Sequence, residues 1–185
     1  MNSEEGRRRF DTLVMPHLDA AYNLARWLTH DEHDACDVVQ DAFVRALRHI
    51  GGFRGDNARG WVLQIVRNTC FTRLRQNRPA MVVGLDEDDA LDEMAGPGGL
   101  EPEASAMRGA NRVQIDRAIA ALPMVYREVL VLRELEDLAY SDIARIVDIP
   151  IGTVMSRLSR ARALMRGALT NDARPPLRVV PKANP

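Results

Sequence analysis

Residues 140–166, YSDIARIVDIPIGTVMSRLSRARALMR, restrict the possible folds more than any other stretch of this chain. Ile143, Ala144 and Val147 form an apolar stripe at helical spacing, and Ala144 is small enough for two crossing helices to approach there. Pro150 cannot continue that helix but suits the first turn of the next, and Gly152 permits close backbone approach. Asp148 stands at the turn, where such motifs most often carry glycine, and a left-handed backbone is tolerable there for Asp. From Val154 onward, at about 100° per residue, Val154, Leu158, Ala161 and Met165 share one narrow arc that predicts a core face. Ser156, Ser159, Arg160 and Ala163 fall opposite, with Met155 and Arg157 at the flanks. Two short helices, a tight turn and an outward serine–arginine face are the layout of a helix-turn-helix. Arginine bonds a guanine edge bidentately, serine bonds several bases, and methionine touches a thymine methyl. Between Ile151 and Leu169 there are no acids, while Arg157, Arg160, Arg162 and Arg166 suit phosphate contact.

The rest of the chain predicts an all-α protein: two small helical domains joined by a flexible acidic linker, the second holding the helix-turn-helix. The expected divisions are 8–80, linker 81–110, 111–170 and a disordered tail 171–185. In the first part, helices are expected over 10–29, 32–49 and 58–77, with Asp31 or Asp34 capping the second. Val38, Val39, Ala42, Phe43, Ala46 and Leu47 are that helix's apolar positions. Gly51 to Asn57 reads as a loop. In the second part a helix from 111 ends at Pro123, another covers 124–136, and the helix-turn-helix follows.

The formal net charge of −1 conceals segregation. Residues 1–80 and 104–185 are each net basic, whereas 86–103 holds Asp86, Glu87, Asp88, Asp89, Asp92, Glu93, Glu101 and Glu103 with no basic residue. No apolar run approaches the length that spans a bilayer, and MNSEEGRRRF has no apolar segment after its arginines, so the expected compartment is the cytoplasm. Cys36 and Cys70 lie far apart and predict no disulfide framework. His30, His33 and Cys36, with Asp34 and Asp37 nearby, are a weak metal pattern, so no metal, cofactor or catalytic residue is expected. A nuclease built on His30, His33, Asp34 and Asp37 is the enzymatic alternative. A dimeric helix-turn-helix repressor or activator is the other, although no heptad or apolar dimer patch is evident.

The helix at 59–78 is basic, with Arg59, Arg67, Arg73, Arg75 and Arg78 and no acid. Val62, Leu63, Val66, Cys70 and Leu74 share its apolar arc, while Trp61, Ile65, Asn68 and Thr72 lie on another side. An aromatic, an amide and a hydroxyl beside arginines suit a single-strand or flipped-base reader. Trp61 alone is better placed in the core, whereas Asn68 and the arginines as a group favour nucleic acid.

These two blocks, DACDVVQDAFVRALRHIGGFRGDNARGWVLQIVRNTCFTRLR and ALPMVYREVLVLRELEDLAYSDIARIVDIPIGTVMSRLSRARALMR, resemble the extracytoplasmic-function group of bacterial RNA polymerase sigma factors over about 10–168. The resemblance implies a transcription initiation factor that is itself no enzyme. Its partners would be core RNA polymerase, promoter DNA and an anti-sigma factor. It implies that Asp37, Gln40, Asp41 and Arg45 face the polymerase while Phe43 belongs to the core. It implies that the loop Phe53, Arg54, Gly55, Asp56, Asn57 and Ala58 captures a flipped −10 base, with Asn68, Arg67 and Arg73 on the next helix serving the same element. It further implies that Thr153, Met155, Ser156, Arg157, Ser159, Arg160 and Arg162 serve the −35 duplex, Met155 standing where many relatives carry a basic residue. Promoter elements roughly 16 base pairs apart are separated by about 55 Å along the axis. A linker of about 25 residues reaches roughly 80 Å when stretched. Relaxed, it averages only about 25–30 Å. The linker therefore spans only when extended and held, and its acids suit a channel that otherwise takes nucleic acid.

Overall fold

The computed structural model describes residues 3–77 and 108–172, and every regular element in them is helical. Residues 81–107 of the expected linker and 173–185 of the expected tail lie outside the described residues, whereas 108–110 already belong to a helix and 171–172 continue the last one. The first part contains α1 (Ser3–Leu13), α2 (Leu18–Thr29), α3 (Glu32–His49) and α4 (Ala58–Asn77). The second contains α5 (Arg108–Ala120), α6 (Met124–Leu130), α7 (Tyr140–Val147) and α8 (Ile151–Asp172).

The single helix expected over 10–29 is broken. Pro16 offers no N–H and its ring crowds the preceding turn, so α1 stops and a 3₁₀ turn, Met15–His17, leads into α2. The broken entry leaves Leu18 at the surface, 39% exposed, while Val14, Leu24, Ala25 and Leu28 are fully buried. Asp31 caps α3, its carboxylate accepting from Asp34 N at 2.9 Å. Val38, Val39, Ala42 and Ala46 face inward as the spacing predicts, but Leu47 stands 46% exposed. On α4, the whole predicted arc of Val62, Leu63, Val66, Cys70 and Leu74 is buried against α2 and α3. Desolvation pushes the Cys70 thiol up to about 12.

The helix expected over 124–136 also changes form. It is α-helical only to Leu130, then widens into a π-helical turn, Val131–Leu135, closed by Glu136 N donating to Val131 O at 3.1 Å. Arg127 is buried beneath it, donating to Ala120 O at 2.8 Å and Ile119 O at 3.2 Å. These carbonyls close α5, so a cation fixes the end where the helix dipole is negative. Burial draws the Arg127 guanidinium down to about 10.

The turn between α7 and α8 takes the form the sequence predicts. Asp148 is left-handed at φ 61°, ψ 51°, and its N–H reaches Ala144 O. Val154, Leu158 and Ala161 are buried beneath α8, and Met165 is half-buried. Ile146 joins Ile143 and Val147 in this core, an apolar position outside the predicted stripe. The two parts are not separate: α7 packs on α4 and α6 packs on α2.

Candidate nucleic-acid interface

Helix α8 is seated by its core arc, which leaves the opposite face to solvent. Met155, Ser156, Ser159 and Arg160 are exposed, and Met155 is 55% so despite being apolar. Ser156 Oγ donates to Thr153 O at 3.0 Å, which holds the first turn without using the hydroxyl's acceptor capacity. Arg160 Nη1 lies 3.4 Å from the Tyr126 hydroxyl. Two further arginines of this helix, Arg162 and Arg157, are engaged within the protein, whereas Arg166 is exposed. Arg162 makes two bonds to Glu134 Oε1, the shorter 2.7 Å. Arg157 turns inward, with a side chain only 12% exposed, and lies 3.7 Å from Glu128. The structure thus gathers Met155, Ser156, Ser159 and Arg160 on one open face, places Thr153 half-buried at its start, and draws Arg157 and Arg162 to its edges.

In the first part, the loop before α4 is built around an aromatic pair. Phe53 and Trp61 stack with ring centroids 4.8 Å apart, and both are half-buried. Trp61 therefore braces the loop rather than presenting a bare ring. The Phe53 carbonyl accepts from Arg9 Nη2 at 2.8 Å, which ties the loop to α1. Arg54, Gly55 and Asp56 project into solvent, and a Cβ at Gly55 would meet the Phe53 ring at 3.3 Å. Asn57 caps α4, its Oδ1 accepting from Gly60 N at 2.8 Å, and Ala58 opens the helix.

Asn68 and Thr72 are exposed on α4, as predicted for a nucleic-acid face. Arg73 departs from that expectation. It turns the other way, with Nη2 2.6 Å from Asp37 and Nε 3.1 Å from Asp34, and so ties α4 to α3. Asp37 is correspondingly engaged, while Gln40, Asp41 and Arg45 line the exposed side of α3. Beside them lies an apolar groove of about 390 Å³ lined by Leu18, Tyr22, Cys36, Val39, Gln40 and Phe43. Among the described residues, no group of His, Cys, Asp or Glu is placed to hold a metal ion.

Sequence reasoning missed Glu128. Its side chain has no solvent exposure, and Arg67 Nε donates to it at 2.8 Å from the other domain. Burial raises its carboxyl above the usual range, against the pull of Arg67 and Arg157. An acid whose neighbours one helical turn away, Met124, Val125, Val131 and Leu132, are all apolar was the available signal, but nothing in the local pattern names its partners.

An all-helical chain that presents a seated helix-turn-helix and a second arginine-bearing helix behind an aromatic loop is a DNA-recognising transcription protein. Comparison with known proteins narrows the class. Residues 13–79 match the family model for Sigma-70 region 2, and residues 112–165 match Sigma-70, region 4. The chain is 37% identical over 173 residues to the RNA polymerase sigma-H factor of Pseudomonas aeruginosa, covering 88% of this chain and 87% of that one. It is 38% identical over 151 residues to the ECF RNA polymerase sigma-E factor of Escherichia coli, covering 78% and 76%. Among solved structures it is similar to the sigma factor RpoE in complex with the anti-sigma factor NepR from Bartonella quintana. That match has TM-score 0.66 and 26% identity, over 88% of this chain and 98% of that one. It is also similar to CnrH in complex with the cytosolic domain of CnrY, with TM-score 0.63 and 25% identity, over 92% and 96%.

The chain belongs to the extracytoplasmic-function sigma factors, the initiation factors that direct core RNA polymerase to promoters. The dimeric repressor reading finds no support in these relationships. No helix among the described residues is long and apolar enough to cross a membrane.

Proposed function

We propose that the division of labour within this sigma factor follows its two helical parts, 8–80 and 111–170, joined through 81–110. The exposed side of α3, with Asp37, Gln40, Asp41 and Arg45, meets core polymerase. The loop Phe53 to Ala58, with Arg67 and Asn68 behind it, takes the −10 strand, while Arg73 holds α4 to α3. Helix α8 reads the −35 duplex through Met155, Ser156, Ser159 and Arg160, with Thr153 and Arg162 at its edges on the phosphates and Arg157 held inward beside Glu128. The chain does no covalent chemistry; strand synthesis belongs to the polymerase. It acts in the cytoplasm and is held in check by an anti-sigma factor, as the partners named for its structural neighbours suggest.

The observation that carries this reading is the open face of α8. Four neighbouring side chains of types suited to base edges are exposed there while Val154, Leu158 and Ala161 are sunk into the core. Such a helix can enter a major groove without losing its own packing. Run-off transcription with purified core polymerase, on a fragment library of the source genome, tests it. Discrete new transcripts sharing two spaced upstream elements are expected only when the chain is added. An unchanged transcript pattern would refute the reading.

A further inference from the structure

A cavity of about 400 Å³ lies between α4, α6 and the start of α8, and neither DNA surface accounts for it. Its size falls within the range of small-molecule sites, roughly 300–1,000 Å³. Three guanidiniums line it, Arg67 and Arg75 from α4 and Arg157 from α8. Against these three cations the lining sets one carboxylate, Glu128, so two positive charges are in excess.

The cations are held in place before any ligand arrives. The Arg67 guanidinium lies 4.3 Å above the Phe71 ring, with Nε and Nη2 donating to Glu128 at 2.8 and 3.4 Å. Asn68 Oδ1 accepts from Arg67 Nη1 at 3.5 Å, which leaves its Nδ2 as a further donor. Arg75 is exposed and supplies charge from the solvent side. Arg157 is the least satisfied of the three. Its side chain is only 12% exposed and its Nη1 stands 3.7 Å from Glu128, while its Nε is buried with no acceptor among the described residues. A buried charged donor without an acceptor is costly, and an anion in the cavity supplies one. Phe71, Val147 and Ile149 add an apolar wall to the same space.

We propose that this cavity binds a small phosphorylated molecule: the phosphate bridges Arg67, Arg75 and Arg157, with Asn68 as a further donor, and the rest of the ligand lies against Phe71, Val147 and Ile149. Guanidiniums match phosphate oxygens in geometry as well as charge, and a phosphate dianion balances the excess of two. Inorganic phosphates and nucleoside phosphates share this head group. The site goes beyond promoter recognition, because Arg157, Val147 and Ile149 belong to the second part and do not lie along α4.

Isothermal titration calorimetry of the full chain in magnesium-free buffer tests it, with ADP, pyrophosphate and adenosine as probes. ADP and pyrophosphate are expected to saturate one site per chain, and adenosine is expected not to bind. Tighter binding of ADP than of pyrophosphate assigns the ligand to the nucleoside phosphates, and equal binding assigns it to the inorganic ones. Arg157→Gln and, at an exposed position, Arg75→Glu are each expected to weaken ADP by about tenfold or more. Arg48→Glu makes the same charge change at an exposed position of α3 outside the cavity and is expected to leave the affinity as it is. Should Arg157→Gln lose its helical circular dichroism, Ile149→Glu, which sets an acid into the wall at a half-buried position, carries the same expectation. No saturable binding of either phosphate compound would overturn the site, as would equal binding of adenosine. Wild-type affinity in Arg157→Gln or Ile149→Glu would place the anion on α4 alone and overturn the bridge. Equal weakening by Arg48→Glu would reduce the effect to net charge and overturn it as well. Binding is read without DNA or polymerase, so failure here is distinct from failure of the promoter reading.

Discussion

Arg67 of α4 and Glu128 of α6 form a 2.8 Å ion pair between the two domains, and the Glu128 side chain is wholly shielded from water. A carboxylate so placed depends on its arginines: removing it strands Arg67 and Arg157 in a largely buried seam, whereas an isosteric amide keeps their acceptor. Glu128→Ala is expected to cost about 3 kcal/mol, and Glu128→Gln less. Urea unfolding followed by circular dichroism measures both. A loss below about 0.5 kcal/mol for Glu128→Ala would show that the pair contributes nothing net.

Arg160 separates function from stability. It is exposed on the open face of α8 and reaches the Tyr126 hydroxyl at 3.4 Å, so its truncation should cost about 0.5 kcal/mol of stability or less. Loss of one bidentate base contact is worth about 1–3 kcal/mol, so Arg160→Ala is expected to weaken promoter binding by the holoenzyme about tenfold to a hundredfold. Gel-shift titration of the holoenzyme on its promoter measures this. Full binding by the variant would remove Arg160 from the recognition surface.

Asp148 holds a left-handed backbone, φ 61°, in the tightest turn of the second domain. Glycine takes that conformation freely, Asp at a modest cost and a β-branched residue at a larger one. Asp148→Gly is expected to raise stability by about 0.5 kcal/mol and Asp148→Val to lower it by about 1–2 kcal/mol. Thermal melts of the three proteins should rank Gly, Asp, Val.

The two thiols should behave oppositely. Cys36 is exposed, whereas Cys70 is buried and its thiol is raised from 9.0 to about 12. At pH 8 an aromatic disulfide reagent is expected to titrate one thiol per native chain and two in denaturant. Because the folded value lies above the unfolded one, the contribution of Cys70 to stability is intact below pH 9.0 and is lost as pH rises toward about 12. Cys70→Ala should flatten that alkaline loss.

The sequence was most legible where periodicity and turn chemistry agree. Val154, Leu158 and Ala161 went inside, Ser156, Ser159 and Arg160 outside, and Asp148 took the left-handed turn, because each is a local consequence of helix geometry. Pro16 was equally local, and its break was overlooked because apolar residues continue on both sides of it. The π-helical turn at Val131–Leu135 was not legible, since no residue there disfavours an ordinary helix. Arg73 showed the limit of counting charges: a basic helix face does not say which arginines reach neighbouring acids first, and Asp34 and Asp37 sit one helix away. The partners of Glu128 were hidden for a related reason. Pairings 61 residues apart in the chain leave no periodic trace.

The most direct test of the central claim is footprinting of a promoter by the chain alone, by core polymerase alone and by both together. The account predicts two protected blocks, about 55 Å apart along the duplex, only when both are present. Strong, sequence-specific protection of a palindrome by the chain alone would contradict it.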